Sequence, residues 1–193
     1  MRKQTAAHIA FILGLIFAIG GASRVMANPM LSFNPSTQTV APGDIFSVEV
    51  TISDITDLFS FQFDLNFDPA ILSANSVTEG PFLPSGGSTF FNPGTIDNFT
   101  GAITFIADTL LGTSGVSGIG ALATINFTAL ASGTSTLTLP KTNVILLDSE
   151  LEPIVAVVES GTVNVVPEPA TSVLLSTGLL GFFTYGKRRF RRQ

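Results

Sequence analysis

The chain has 193 residues, with no cysteine, no tryptophan and a single histidine, and charged residues make up only 12% of it. Because that histidine, His8, lies in an apolar N-terminal run, the rest of the chain excludes Ser-His and Cys-His catalysis and any zinc site built from histidine or thiolate ligands. The length allows one domain of ordinary size together with terminal segments.

Residues 1–27 have the pattern of a secretory signal peptide. A basic pair at residues 2–3 precedes an apolar run at residues 9–21, which is too short to span a bilayer comfortably. The tripeptide ending at Ala27 carries the branched and small residues that signal peptidase reads, so we expect cleavage between Ala27 and Asn28. An uncleaved N-terminal anchor helix is the alternative.

Residues 28–165 form a strongly acidic body. They contain thirteen aspartates and glutamates against one base, Lys141, a net charge of 1 − 13 = −12. This charge would repel nucleic acid and anionic membrane surfaces, so neither is expected as a partner. Most of these acids are expected at strand ends and turns, where they keep the domain soluble.

Alternation of apolar and polar residues dominates the body. It is clearest at residues 45–53, 59–67 and 123–129, where an apolar residue occupies every second position. Further strand-like runs occur at residues 103–107, 134–139, 144–147, 154–158 and 162–166. Strands with period two, separated by glycine and proline turns, predict an all-β fold. We expect a two-sheet jelly-roll sandwich of about nine strands, with the phenylalanines of 59–67 in the core.

Four segments of the body match a known family in order and spacing. Residues 40–44 (Val-Ala-Pro-Gly-Asp) precede an alternating strand, and residues 59–72 end a strand in an Asp-Pro corner, with Phe67 where the family has tyrosine. Residues 120–139 match a later hairpin, and residues 161–165 match a closing strand. Over about residues 30–166 the body thus resembles a cohesin domain. The resemblance implies a nine-stranded jelly roll related to cellulose-binding modules, without catalysis or cofactor.

The same resemblance implies a partner and a binding face. Cohesins bind dockerins, which are small calcium-loaded helical modules, through one flat sheet face. The matching outward positions here are Ser60, Gln62, Asp64 and Asn66, and Glu152 lies near a contributing acidic position. Well-studied cohesins tend to have asparagine and aspartate where this chain has Ser60 and Gln62. The alternative is that these residues form an ordinary solvated strand face.

Direct carbohydrate binding is a second interpretation. Polysaccharides stack on exposed planar aromatic rings, and the body has no tryptophan or tyrosine. Phenylalanines in turn-rich stretches are therefore the candidates: Phe82, Phe90, Phe91 and Phe99.

Catalysis and metal binding have weaker support. Only a pair of carboxylates, such as Asp64 and Asp68, offers a catalytic constellation, and a fold of this size leaves little room for a cleft. The acidic run at residues 148–152 could hold calcium, but solvated carboxylates are the simpler interpretation, so no metal is expected.

The C-terminal residues 166–193 form a three-part pattern. Pro167, Glu168 and Pro169 lie within the motif 166–171, an apolar run follows at residues 172–186, and residues 187–193 are rich in arginine. The apolar run is at the short limit for a transmembrane helix. The basic tail would stay cytoplasmic and hold the body outside.

This three-part pattern resembles a PEP-CTERM sorting signal. The resemblance implies a Gram-negative bacterium that exports the protein through its inner membrane. An exosortase would cut near Pro167, Glu168 and Pro169 and release the protein to the cell surface or extracellular matrix. Prolines keep this motif extended and accessible. A permanent membrane anchor is the alternative.

Overall fold

A computed structural model describes residues 28–167 of the chain. This part consists of strands and two short 3₁₀ turns, and none of its helices is long and apolar enough to cross a membrane. The predicted signal peptide, most of the sorting motif, the predicted transmembrane helix and the basic tail lie outside the described residues. The twelve strands here are β1 (Met30–Asn34), β2 (Thr37–Val40), β3 (Ile45–Leu58), β4 (Ser60–Asn66), β5 (Leu72–Glu79), β6 (Thr95–Asp97), β7 (Ala102–Thr109), β8 (Val116–Ala129), β9 (Gly133–Leu137), β10 (Ile145–Leu147), β11 (Val157–Val158) and β12 (Gly161–Val165).

The strands build an all-β sandwich, as the alternation predicted. One layer is a five-stranded sheet in the order β11-β1-β3-β8-β5. A four-stranded sheet (β10-β4-β7-β6) and a three-stranded sheet (β2-β12-β9) are joined by one antiparallel bridge, between Asn66 and Thr138. The ladder ends there because Pro140 has no N–H to continue it. The described residues contain twelve strands where about nine were expected, and four of the twelve have only two to four residues.

The core lies between the layers and follows the alternation of the long strands. Phe61 and Phe63 of β4 point inward and are at most 1% exposed, with stacked rings 5.5 Å apart. Phe127 of β8 faces them from the five-stranded sheet and meets the edge of Phe67 at 5.4 Å. The inward position predicted for the phenylalanines of β4 is therefore confirmed. Among the described residues, the buried hydrophobic side chains form one cluster that runs from Leu31 to Val165.

Four strands lack a clear signal in the sequence: β1, β2, β5 and β6. In β5 the alternation breaks between Ala74 and Ser76, where the pairing with β8 shifts register. A bulge of this kind moves later side chains to the opposite face, so the apolar spacing no longer has period two.

The turn between β6 and β7 is packed against the corner that ends β4. Gly101 has φ of +73°, and a Cβ there would lie 2.3 Å from the carbonyl oxygen of Phe67. The Phe67 N–H donates to the Gly101 carbonyl oxygen at 2.8 Å. Glycine is required at this turn because a side chain would collide with the backbone of the corner.

Candidate functional site

The outer face of the four-stranded sheet carries the predicted binding residues. β4 is held between β7 and β10, so its side chains alternate between core and solvent. Phe61, Phe63 and Leu65 point inward. Ser60, Gln62, Asp64 and Asn66 point outward along one line and are half-buried or exposed. The structure thus brings four of the five predicted partner-binding residues onto one strand face.

Cross-strand pairing arranges the neighbours of these residues in rows. β10 lies on one side of β4, β7 lies on the other, and segment 88–92 continues the sheet beyond the second half of β7. Hydrogen bonds of 2.8–3.0 Å between this segment and residues 107–111 set its register. One row across the face is Leu147, Ser60, Thr109 and Phe90, and the next is Ile145, Gln62, Ala107 and Asn92. The centre of the face is therefore small or polar; its β10 side is apolar (Leu147 and Ile145), and its other side has apolar Phe90 and polar Asn92.

A β-bulge in β7 adds an aromatic residue to this face. The pairing of β4 with β7 shifts between Phe63 and Leu65, so Thr104 and Phe105 both lie opposite Asp64. Phe105 has φ of +61° and its side chain is 52% exposed. The Phe105 N–H donates to Asp64 Oδ1 at 2.8 Å. Asn143 Nδ2 donates to Asp64 Oδ2 at 2.5 Å. Asp64 is thus bonded within the domain, and its carboxylate holds the bulge that exposes Phe105.

Glu152, the fifth predicted partner-binding residue, lies beside the first row. Its loop folds tightly, because Asp148 Oδ1 accepts from the backbone N–H groups of Glu150 and Glu152, both at 2.9 Å. Pro153 then bridges to Leu147, the β10 residue opposite Ser60. Glu152 is exposed and places a negative charge at the rim of the face.

The candidate sugar-stacking phenylalanines divide into two groups. Phe82 is only 6% exposed and Phe91 is half-buried against the core, so these two cannot form a stacking platform. Phe90 and Phe99 are 68% and 93% exposed. Phe90 lies on the four-stranded face, whereas Phe99 lies in the turn after β6. The alternation did not indicate Phe105, the further exposed aromatic residue of the face.

The acidic residues do not form a metal centre within residues 28–167, where no three carboxylates or histidines come together. The Asp148 side chain is used to close its own loop. Asp64 and Asp68, the carboxylate pair named above as the candidate for catalysis, both accept hydrogen bonds from the backbone of the domain. Asp64 Oδ1 accepts from the Phe105 N–H, and Asp68 Oδ1 accepts from the Ala70 N–H at 2.9 Å. The face therefore offers hydrogen bonds, apolar contacts and negative charge, which are the means of binding.

Comparison with known protein families gives a match over nearly the whole described part. The model of the cohesin domain matches residues 31–165. Cellulose-binding protein A of Clostridium cellulovorans is 30% identical over 146 residues, which cover 74% of this chain. The matched stretch is only 8% of that protein's length.

Solved structures share the fold. A cohesin from Clostridium acetobutylicum, solved in solution, has 24% identity and a TM-score of 0.59, covering 74% of this chain and 93% of that one. The sixth cohesin of scaffoldin B from Acetivibrio cellulolyticus, solved with a dockerin mutant, has 23% identity and a TM-score of 0.59, covering 72% and 100%. A non-cellulosomal cohesin from Archaeoglobus fulgidus has 17% identity and a TM-score of 0.58, covering 76% and 96%.

Proposed function

This chain belongs to the cohesin family of non-catalytic binding modules, and on that premise we propose that its four-stranded face docks a dockerin-type protein. The observation that carries the proposal is the exposure of two phenylalanines next to a strip of small and polar residues: Phe90 flanks the strip beyond β7, and Phe105 lies farther along β7 at the bulge. Large aromatic residues at the sides of such a strip are the groups that dominate binding energy at protein interfaces.

The central strip supports docking of a rigid element such as a helix. Ser60, Gln62, Ala107 and Thr109 have short or medium side chains on paired strands, so the strip is flat and its backbone is held in place. The Gln62 and Asn66 side chains make no hydrogen bond to another residue of 28–167. Their amides are free to bond a partner, and little backbone freedom is lost when they do.

Charge favours a partner with a basic docking surface. Residues 28–165 carry a net charge near −12. Glu152 places a carboxylate at the rim of the face, and Asp64 places one beside the β7 bulge. Complementary charge accelerates encounter and selects among partners. Asp64 has a second role as a positioning residue, because its bond to the Phe105 N–H stabilises the bulge that presents the aromatic ring.

The proposal is tested by affinity measurements with calcium-loaded dockerin modules from the same organism. Phe90→Ala should weaken binding about 10-fold or more, because it removes an exposed aromatic contact. Phe99→Ala is the control, since it deletes an even more exposed ring that lies outside the face. Equal losses in the two variants, with unchanged melting temperatures, would reject this face as the docking surface.

Polysaccharide binding is the second candidate, favoured by the exposure of Phe90, Phe99 and Phe105. A second support is the relative that is 30% identical, which is named as a cellulose-binding protein. The same variants measured against a polysaccharide panel separate the two functions. Retention of the wild-type domain by polysaccharide, combined with no affinity for dockerins, would favour this candidate.

We also propose that the protein acts outside the cell. The support is the signal-peptide pattern ending at Ala27 and the sorting pattern around Pro167, Glu168 and Pro169. Signal peptidase would expose Asn28 as the new N-terminus, and exosortase would remove the apolar run and basic tail. The intact mass of protein released from its host tests both cuts. A surface form that retains Arg191 and Arg192 would indicate a permanent anchor.

A further inference from the structure

One carboxylate of the described residues is buried between the two layers. Asp108 of β7 lies opposite Phe61 and points inward, with only 2% of the residue exposed. Its Oδ1 accepts from the Thr109 N–H at 2.8 Å, whereas its Oδ2 has no hydrogen-bond donor. A buried carboxylate oxygen without a donor is strongly destabilising, so another group must satisfy it.

The group that faces Asp108 is the carboxyl of Glu79, at the end of β5 in the opposite layer. Hydrogen bonding to Glu79 and its negative charge both raise the pKa of Asp108. Thr89 holds the Glu79 side chain near Asp108. Its hydroxyl donates to Glu79 Oε1, and its backbone bridges to Leu110, which is two residues beyond Asp108. Two carboxylates in contact repel each other, but a carboxylic acid donates to a carboxylate.

No basic group compensates this pair within residues 28–167. Their one base, Lys141, lies beside the groove next to β10. β4 presents the phenyl ring of Phe61 to Asp108, segment 88–92 presents the Thr89 hydroxyl to the pair, and Glu79 is the ionisable group that faces it. Burial raises the pKa of Asp108 to about 7, and the hydrogen bond and charge of Glu79 add to the increase.

We propose that Asp108 and Glu79 share one proton and so form a clamp between the two layers that is closed below neutral pH. The proton comes from solvent, lies between Asp108 Oδ2 and Glu79, and satisfies the oxygen that lacks a donor. A hard cation such as calcium requires six to eight oxygen ligands, and the residues here supply two carboxylates and one hydroxyl. A single proton needs only the two oxygens that are present.

The clamp has a definite pH signature. The folded protein holds a proton that the unfolded chain has already lost, so stability falls as pH rises from the ordinary aspartate pKa near 4 to the folded value near 7, and is constant above that. Residues 28–167 contain no histidine and no cysteine, the residue types whose ordinary pKa values lie nearest to the range from pH 5.5 to 8. Two aspartates with lowered pKa, Asp57 beside the Ser149 hydroxyl and Asp97 beside the Thr100 hydroxyl, stay ionised throughout.

Thermal unfolding of residues 28–167 between pH 5.5 and 8 tests the proposal. Its buried side chains form one continuous core cluster, and related cohesin chains of the same extent have been solved. The melting temperature of the wild type should fall by about 5 °C over this range. Asp108→Asn supplies a permanent N–H donor to Glu79 and should remove most of the dependence. Glu150→Gln, on the exposed 148–152 loop, is the matched control and should preserve it.

Three results would overturn the clamp. The first is a wild-type melting temperature that does not change with pH. The second is the same pH slope in Asp108→Asn as in the wild type. The third is a rise in melting temperature with millimolar calcium at pH 8 that Asp108→Asn abolishes, since the pair would then hold a cation. Carboxyl carbon chemical shifts provide a direct check, because Asp108 should titrate near pH 7.

Discussion

The two layers of the sandwich present outer faces that differ in how their polar groups are satisfied. On the five-stranded sheet, polar side chains of adjacent strands bond one another at 2.9–3.0 Å; the pairs are Ser32–Thr51, Asn34–Glu49, Asn75–Thr128 and Ser76–Asn126. On the four-stranded sheet, Gln62 and Asn66 lack such pairs within residues 28–167, and Phe90 and Phe105 are exposed. A face that satisfies its own polar groups can remain solvated, whereas exposed aromatic rings beside free amides favour a partner.

A single β-bulge produces much of this difference. If the side chains of β7 alternated without interruption from Ile103, which points inward, Phe105 would be buried and Asp108 would be exposed. The extra residue in β7 reverses both positions, so Phe105 reaches the outer face and Asp108 enters the core. The proposed docking contact and the proposed proton clamp thus arise from the same local irregularity, which the Asp64 carboxylate holds.

The largest expected effect is on stability, and it distinguishes the inward-facing residues of β4 from the outward-facing ones. Phe63→Ala should lower the free energy of unfolding by about 3–5 kcal/mol, because it leaves a cavity beneath the face. Gln62→Ala, at the adjacent outward position, should change it by less than about 0.5 kcal/mol. Urea unfolding of both variants measures the values. Similar losses at both positions would contradict the inward and outward assignment.

The second-largest expected effect is on dockerin affinity, measured with one variant on the outer face of each layer. Phe105→Ala should weaken dockerin binding by about 2 kcal/mol, roughly 30-fold, because it removes an exposed ring from the four-stranded face. Ile119→Ala, at a 75% exposed position of β8 in the five-stranded sheet, should leave binding unchanged. Isothermal titration calorimetry provides both affinities. A loss confined to Ile119→Ala would move the docking surface to the other layer.

Asp64→Ala should separate positioning from direct contact. It removes the acceptor of the Phe105 N–H and the Asn143 amide, so we expect a loss of about 1 kcal/mol in unfolding free energy. Phe105 should also lose its fixed position, which the amide resonances of residues 103–106 would report by broadening. Unchanged stability and unchanged resonances would show that the carboxylate does not hold the bulge.

Salt provides the smallest expected effect. The thirteen acids of residues 28–165 repel one another in the folded state, and the one base there offsets little of this repulsion. Salt at about 0.1 M limits this repulsion to about 10 Å, so the melting temperature should rise by about 2 °C between low and moderate salt. Scanning calorimetry at constant pH tests this. A constant or falling value would indicate that the charges are already neutralised.

The sequence predicts the parts of this molecule that follow period two. Residues 45–53 of β3, the whole of β4 and residues 123–129 of β8 alternate, so their inward residues are recognisable and the polar face of β4 follows from them. The alternation does not indicate residues 54–58 of β3 or 116–122 of β8, because register shifts interrupt the pairing of the two strands there. β5 and β7 contain bulges that interrupt the pattern. The bond from Phe105 to Asp64 joins residues 41 positions apart, and the contact of Asp108 with Glu79 joins two sheets. Such features depend on the tertiary arrangement, so spacing along the chain does not indicate them.

The most direct test of the docking face is amide chemical-shift mapping of isotope-labelled residues 28–167 with a calcium-loaded dockerin module. We expect the largest shifts in β4, β7 and β10, centred on Gln62 and Phe105, and small shifts in β1, β3, β5 and β8, whose outward polar side chains pair with one another. Large shifts confined to the five-stranded sheet, with the β4 and β7 resonances unmoved, would contradict the account.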